Sequence, residues 1–271
     1  MSSRLETAYY DLGRLDLLAE KDSPIHRLDP RAKVVTTLFF IICVVSYGKY
    51  EILRLLPFFL FPAFLIGMAD LPVGFLARKL IIVSPFVLFI GIFNPFIDRE
   101  IIYQLGTLRV SGGWFSLVSI LLRFILTVGA ALLLIATTGF TAICMSLEKL
   151  GAPRIFAVQL LMLYRYLFIL IEEAIRILRA YTLRSVSDKK VRYHIFRQIL
   201  GNLLLRTIDR AQRIHLAMLS RAFTGEVRVV QQFRFGLAEI FYTVSLILLF
   251  TFIRLVDISS LLGNLLLRFA T

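Results

Sequence analysis

Histidine and cysteine, the side chains that most often bind transition metals, are scarce in this chain, with three histidines and two cysteines among 271 residues. His194 and His215 would lie about 30 Å apart if they share one helix, too far to bind one ion, and His26 is distant in the sequence. Cys43 and Cys144 lie inside apolar runs, which favours two buried hydrophobic side chains over a disulfide or a metal pair. We therefore predict no metal site in this chain.

Sequence signals of catalysis are also missing. The chain has no Gly-x-x-x-x-Gly-Lys-Ser/Thr loop, which excludes ATP hydrolysis by the P-loop route. It also has no cluster of histidines or acids that would indicate a membrane-bound enzyme. We predict no catalytic residue and no cofactor bound by this chain.

Acidic residues are few, 18 against 31 Lys and Arg, for a formal net charge of +13. Such an excess fits nucleic-acid binding, or cytoplasmic loops that meet anionic lipid or an acidic partner. The basic segments lack the interleaved aromatic residues on which bases stack. We therefore predict no nucleic-acid partner.

What is abundant is apolar residues, at 58% with a mean hydropathy of +0.80, too apolar for a soluble domain. Uncharged runs predict an all-α polytopic membrane protein in the cell inner membrane, with about five transmembrane helices. The predicted spans are 34–48, 55–69, 80–97, 124–147 (starting nearer 114) and 237–256. The first 32 residues are charged throughout, without a cleavable signal pattern, and are expected to stay in the cytoplasm.

A possible sixth span, 155–171, contains Arg165, which is costly in lipid, so we interpret it as a helix packed on the bundle or lying at the interface. Residues 141–234 contain 16 of the 31 basic residues and 6 of the 18 acids. Because Lys and Arg concentrate on the cytoplasmic side, this block is predicted to face the cytoplasm. The predicted organisation is a cytoplasmic segment 1–32, transmembrane helices 33–140, cytoplasmic coupling helices 141–235 and a last span with tail 236–271.

Two long helices are predicted in the basic block, 154–185 and 191–222, joined by a polar turn at 187–190. Glu172 four residues before Arg176 predicts a supporting ion pair on the first helix. On the second helix, five arginines fall within an arc of about 80° opposite a mainly apolar face: Arg192, Arg206, Arg210, Arg213 and Arg221. A charged stripe of this kind also fits a solvated face or contact with lipid headgroups. Gly225 suits the end of the second helix.

Arg184 and Arg221 differ from the other arginines because each closes a long helix and precedes a small residue. A guanidinium at such a tip can enter a partner's groove and form a fork-like pair with a carboxylate. The candidate site therefore comprises two triplets: Leu183, Arg184, Ser185 and Ser220, Arg221, Ala222. Arg206, Arg210 and Arg213 are predicted to support it.

These triplets resemble the Ala-Arg-Gly-like motifs of the T component of energy-coupling factor (ECF) importers, a transmembrane coupling subunit of ABC transporters. Both depart from the strict triplet but keep the arginine and a small residue after it. The resemblance extends to three further segments: Ser23-Pro24-Ile25-His26-Arg27-Leu28-Asp29-Pro30-Arg31-Ala32-Lys33, Leu150-Gly151-Ala152-Pro153 and Tyr164-Arg165-Tyr166. The first of them most resembles the cobalt-type branch, CbiQ.

The resemblance implies that the two arginine-bearing helix ends dock onto a pair of cytoplasmic ABC ATPases, which bind the ATP. It also implies a separate substrate-binding membrane subunit, with cobalt as the cargo and nickel or a vitamin as alternatives. A stand-alone secondary transporter is the rival from another class. It would need polar residues converging at mid-membrane, often with inverted repeats, and the sequence shows neither.

Overall fold

The computed structural model describes residues 2–48, 51–94, 101–105, 108–184, 193–223, 225 and 236–256. Ten α-helices are described there: α1 (Ser2–Ala19), α2 (Pro30–Val45), α3 (Ile52–Leu55), α4 (Leu60–Ala69), α5 (Val73–Gly91), α6 (Gly112–Thr138), α7 (Phe140–Lys149), α8 (Arg154–Arg184), α9 (Tyr193–Ser220) and α10 (Leu237–Leu255). A 3₁₀ turn, Leu56–Phe59, joins α3 to α4. An antiparallel hairpin of β1 (Ile101–Leu105) and β2 (Leu108–Ser111) precedes α6. The protein is thus an all-α fold apart from this hairpin.

Five helical segments are long and apolar enough to cross a membrane by length and composition: Ile52–Ala69, Val73–Gly91, Gly112–Thr138, Arg154–Arg184 and Leu237–Leu255. They confirm an all-α polytopic membrane protein. Four of them overlap the predicted spans that begin at 55, 80, 124 and 237. The predicted first span, 34–48, corresponds to α2, which has only 16 residues. The fifth is α8, which contains the doubtful segment 155–171.

Two predicted boundaries were wrong for identifiable reasons. The long apolar run that suggested one span through residue 147 breaks at Gly139, whose φ of +77° ends α6 before α7 begins. The third span was expected to start at 80, but α5 begins at Val73, directly after Pro72. Charged Arg78 and Lys79 therefore lie inside the first two turns of α5, where hydropathy alone does not detect a helix.

The chain divides into two compact units. Met1–Leu17 and Phe140–Gln232 form one, here named the basic unit, and Leu18–Gly139 with Phe233–Thr271 form the other, named the bundle unit. Most of the N-terminal helix α1 groups with the basic unit.

An aromatic cluster forms the core of the bundle unit. Phe40 of α2, Phe61 of α4 and Phe250 of α10 meet with ring centroids 4.7 to 5.3 Å apart, and Phe58 of the 3₁₀ turn joins them. All four rings are almost fully buried. Packed aromatic rings contribute large apolar areas and favour edge-on contacts, so this cluster fixes α2, α4 and α10 against one another.

The start of α2 is built by the Asp29–Pro30 pair. Asp29 accepts a hydrogen bond from the backbone N–H of Arg31 at 2.9 Å, and Pro30 occupies the first helical position, where its missing N–H costs nothing. Lys33, only 3% exposed, then donates to the carbonyl of Thr137 at 2.9 Å and to that of His26 at 3.3 Å. The ammonium group thereby donates to a carbonyl at the C-terminus of α6, where the last carbonyls of a helix lack intrahelical donors.

Candidate functional site

Helix α8 ends at Arg184, the residue that the sequence placed at the tip of the first long helix. Leu183 beside it is 80% exposed, and Arg184 is exposed as well. Ser185 and the predicted turn at 187–190 lie outside the described residues. The guanidinium of Arg184 is therefore carried at the end of a 31-residue helix.

Helix α9 ends at Ser220, and the next three residues form a Schellman cap. The N–H of Ala222 bonds to Leu219 O at 3.0 Å and that of Phe223 to Met218 O at 3.1 Å, which is the paired bond pattern of this cap. Ala222 adopts φ +52°, the left-handed conformation that glycine usually provides there. The sequence predicted a helix end near residue 222 with Gly225 as the stop residue; the cap is formed by Ala222, three residues before that glycine.

This cap fixes how Arg221 is presented. Arg221 is the last residue before the left-handed turn, and its N–H bonds to Met218 O at 3.1 Å. Ser220, Arg221 and Ala222 are all exposed. Arg221, which the sequence proposed as a docking residue, is thus held at an exposed, capped helix end. Backbone strain of this kind is often found at functional positions.

The predicted supporting arginines do not form one uniform surface. Arg206 Nη1 binds Glu173 Oε1 of α8 at 2.7 Å, and half-buried Arg210 lines a groove between α8 and α9. Arg213 is exposed, and Arg192 lies outside the described residues. The arc of arginines is therefore divided between contact with α8 and solvent.

The predicted ion pair on α8 has a different partner. Arg176 Nη2 pairs with Glu173 at 2.8 Å, while Glu172 accepts a hydrogen bond from Tyr9 of α1 at 2.8 Å. Glu173 thus receives two guanidinium groups, one from its own helix and one from α9. Adjacent glutamates serve different helices because neighbouring helix positions point about 100° apart.

The groove between α8 and α9 has a volume of about 470 Å³. Its walls are mainly apolar, with Arg210 and His215 as the charged and titratable members; the lining also includes Met162, Tyr166, Ile169, Ile214, Met218 and Phe223. No side chain of α9 is fully buried among the described residues. Most of the apolar face predicted for α9 is exposed, with Leu200, Leu204, Ile208 and Leu219 between 47% and 60% exposed.

His26 lies in a polar network before α2. Its Nε2 is 3.0 Å from Leu18 O and its Nδ1 is 2.7 Å from Ser23 Oγ; since a carbonyl only accepts, Nε2 carries the proton and Nδ1 accepts from the serine. Burial, with the nearby positive charge of Lys33, lowers the pKa of His26. Within the described ranges, no group of three or more His, Cys, Asp or Glu side chains could hold a metal ion.

Sequence reasoning noticed the segment 23–33 but missed what it does. The segment contains the Asp29–Pro30 cap and the histidine network, and through Lys33 it joins the start of α2 to the end of α6. The Asp-Pro pair is a recognisable helix-start signal. A buried lysine that donates to a carbonyl 104 residues away leaves no local signal.

The fold and these exposed basic helix ends define a multi-pass membrane protein with a separate basic helical unit. A family model described as "CbiQ: Cobalt transport protein" matches residues 21–232. Because this match covers more than three quarters of the chain, the protein belongs to the CbiQ family, whose ECF members are the T components recognised from the sequence motifs.

Curated relatives support the same assignment. The chain is 28% identical over 218 residues to a Bacillus subtilis protein named "Energy-coupling factor transporter transmembrane protein EcfT", covering 75% of this chain and 82% of that protein. A Ruminiclostridium cellulolyticum protein of the same name is 27% identical over 255 residues, covering 87% and 94%. A Streptococcus thermophilus protein of that name is 28% identical over 228 residues.

Proposed function

We propose that this chain is the T subunit of an ECF-type ABC importer, a non-catalytic membrane protein that couples two cytoplasmic ATPases to a substrate-binding membrane subunit. In this proposal the ATPases bind and hydrolyse ATP, and the substrate-binding subunit holds the cargo. The observation that carries the proposal is the pair of exposed arginines that close the two long basic helices, found in a chain of the CbiQ family.

The directions of the helices in the bundle unit support the proposal that both arginine-bearing helix ends lie on one side of the membrane. Lys33 at the start of α2 bonds to the end of α6, and Lys21 bonds to Asp70 O at the end of α4 at 2.9 Å. At the other end of α2, Arg254 near the end of α10 bonds to Ser46 O at 3.2 Å. Helices α2 and α10 therefore run parallel, whereas α4 and α6 run against them.

The directions of these helices indicate whether α8 crosses the membrane. The chain leaves α6 at the face where α2 starts, and α10 starts at the same face, so the intervening segment crosses the membrane an even number of times. Helix α9 is not among the apolar candidates, so α8 alone would make the number odd. We infer that α8 does not cross, which keeps both arginine tips on one side; the excess of basic residues makes that side the cytoplasm.

Coupling requires an element with two arrangements that both binding sites bias. We propose that α8 and α9 are this element: they contact each other through the Glu173–Arg206 pair and leave an open apolar groove between them. Closure of the two ATPases on ATP would move the arginine tips, and the open apolar faces would pass that motion to the substrate-binding subunit.

We further propose cobalt ions as the cargo, with nickel or a vitamin as alternatives. The description of the matching family model and the CbiQ-like segment 23–33 support cobalt. Purifying the complex with its companions and measuring the bound metal tests this. Nickel or a vitamin in the purified complex would change the cargo but leave the coupling role in place.

The coupling role is tested by Arg184→Glu combined with Arg221→Glu. We expect membrane insertion to persist and co-purification of the ATPases to be lost. Each substitution replaces a guanidinium that can pair with a partner carboxylate by a carboxylate that repels it. The matched control is Arg78→Glu with Arg197→Glu, which makes the same charge change at two arginines that do not lie at the C-terminal ends of α8 and α9. Retained ATPase binding in the first double variant, or substrate uptake by the purified chain without ATPases, would contradict the proposal.

A further inference from the structure

Helix α1 lies outside the segment that the family model matches, which begins at residue 21. Within the basic unit it contacts α8 through three polar pairs. Asp16 Oδ2 accepts from Tyr164 Oη at 2.6 Å, Tyr9 Oη donates to Glu172 at 2.8 Å, and Arg179 donates to Glu6 at 3.2 Å. The residue numbers decrease along α1 as they increase along α8, so the two helices lie antiparallel, over about three turns of α1 and about four turns of α8.

The contacting residues occupy one face of each helix. On α8, residues 164, 168, 172 and 179 fall within about 80° when projected at 100° per residue, and residues 6, 9 and 16 of α1 do the same. Phe168 fills the space between the polar pairs, with its ring centroid 5.9 Å from that of Tyr9 and 5.2 Å from that of Tyr164. The contact therefore combines an aromatic centre with hydrogen bonds on both sides of it.

Helix α9 contacts a different face of α8. The Glu173–Arg206 pair and the groove-lining residues Met162 and Ile169 project about 100° or more from the face that binds α1. Helix α8 is thus contacted on different faces by α1 and α9, and α7 also packs on it, with the Phe140 and Tyr164 ring centroids 4.4 Å apart. The last contact with α1, at Arg179, is five residues before Arg184, about 7.5 Å along the axis.

We propose that α1 is a brace that positions α8, and that Glu6, Tyr9 and Asp16 are positioning residues for the coupling arginine Arg184. This inference rests on the proposed coupling function. Without the brace, Arg184 keeps its chemistry and still binds an ATPase, but α8 tilts freely at its outer end. Part of the ATPase motion is then lost as rotation of α8 and does not reach the substrate-binding subunit.

A simpler alternative is that α1 only covers apolar surface of α8, in which case the polar pairs are dispensable. Substitutions that remove or weaken these hydrogen bonds at constant volume separate the two. Tyr9→Phe deletes the phenol donor to Glu172, and Asp16→Asn replaces the charged acceptor of Tyr164 with a weaker neutral one, while the Phe168 contacts remain. Tyr10→Phe is the matched control, because its ring is 69% exposed and adjacent in the sequence.

The experiment uses the full complex in proteoliposomes and measures cargo uptake per ATP hydrolysed together with ATPase co-purification. For Tyr9→Phe with Asp16→Asn we expect co-purification to be retained. Uptake per ATP should fall about fivefold for the lost Tyr9 bond, with a smaller further fall for the weakened bond from Tyr164. Tyr10→Phe should match the unsubstituted protein. Unchanged uptake per ATP in the double variant would overturn the brace.

A charge exchange provides the second arm. Glu6→Arg alone should lower uptake per ATP about twofold, because exposed ion pairs contribute little, and Glu6→Arg with Arg179→Glu should restore it. If the exchanged pair is no better than Glu6→Arg alone, the Glu6–Arg179 contact does not position α8 and the proposal fails.

The two proposals fail in different ways. If the proposed coupling role is wrong, the ATPases still bind when Arg184 and Arg221 are both replaced by glutamate, regardless of the result with the α1 variants. If the brace proposal alone is wrong, the α1 variants show normal uptake per ATP, while the Arg184→Glu, Arg221→Glu variant still fails to bind the ATPases. A bismaleimide cross-link between cysteines placed at positions 9 and 172, in a chain lacking Cys43 and Cys144, reports the contact itself; its absence also overturns the brace.

Discussion

Replacing Lys33 with methionine should destabilise the bundle unit because it deletes a buried charge that binds two backbone carbonyls. Lys33 is 3% exposed, and its Nζ is 2.9 Å from Thr137 O and 3.3 Å from His26 O. Methionine has a similar length and is apolar, so the packing volume changes little. The substitution leaves the terminal carbonyl of α6 buried and without its donor.

The size of the effect follows from the two distances. A hydrogen bond with a charged partner contributes about 1.5–3 kcal/mol, and the longer contact contributes less. Methionine avoids the cost of burying an ammonium group, which offsets part of the loss. We expect the free energy of unfolding to fall by about 2 kcal/mol, equivalent to about 4–8 °C in Tm for a chain of this size.

Cys43 and Cys144 provide the assay. Both thiols are buried, at 8% and 1% exposure, so a thiol-reactive fluorophore reports unfolding of the detergent-purified protein as it is heated. Lys21→Met is the control, since Lys21 also donates to a backbone carbonyl, Asp70 O at 2.9 Å, but from an exposed position. That substitution should shift the midpoint by less than about 3 °C. Equal shifts for the two variants would refute the reasoning, because burial would then make no difference.

Membrane helices could be predicted where an uncharged run ends at charged residues on both sides. The last span is the clearest case: 237–256 was predicted and α10 is Leu237–Leu255. Hydropathy fails where a helix ends for a conformational reason. Gly139 lies in a continuous apolar run, and only its positive φ separates α6 from α7.

The site was partly predictable as well. Charge and length gave two long helices ending near Arg184 and Arg221, because a basic helix with one apolar face has a readable period. The division of the arginines was not predictable. Arg206 pairs with Glu173, 33 residues away, only because α8 and α9 pack together.

The partners of two adjacent glutamates also could not be predicted from sequence spacing alone. Glu172 and Glu173 are chemically identical, and the sequence favoured Glu172 as the partner of Arg176 from its four-residue spacing. In the structure Tyr9 of α1 donates a hydrogen bond to Glu172, and Arg176 pairs with Glu173, three residues away. Both spacings permit a pair on an isolated helix, so the tertiary contact with α1 decides between them.

Two further predictions concern single residues. Ala222→Gly should stabilise the end of α9 by about 0.5–1 kcal/mol, since glycine adopts a positive φ without the Cβ penalty; amide exchange at 221–223 should slow, and faster exchange would contradict the left-handed assignment. The stability of the bundle unit should also depend on His26. Its pKa is lowered in the folded protein, by burial first and then by Lys33, so below about pH 6.5 the unfolded chain binds more protons than the folded one. The stabilisation is therefore complete above pH 6.5 and is lost as the pH falls towards the folded-state pKa. Thermal midpoints should fall between pH 7 and pH 5 in the unsubstituted protein and fall less in His26→Gln; parallel pH profiles would show that the histidine is not responsible.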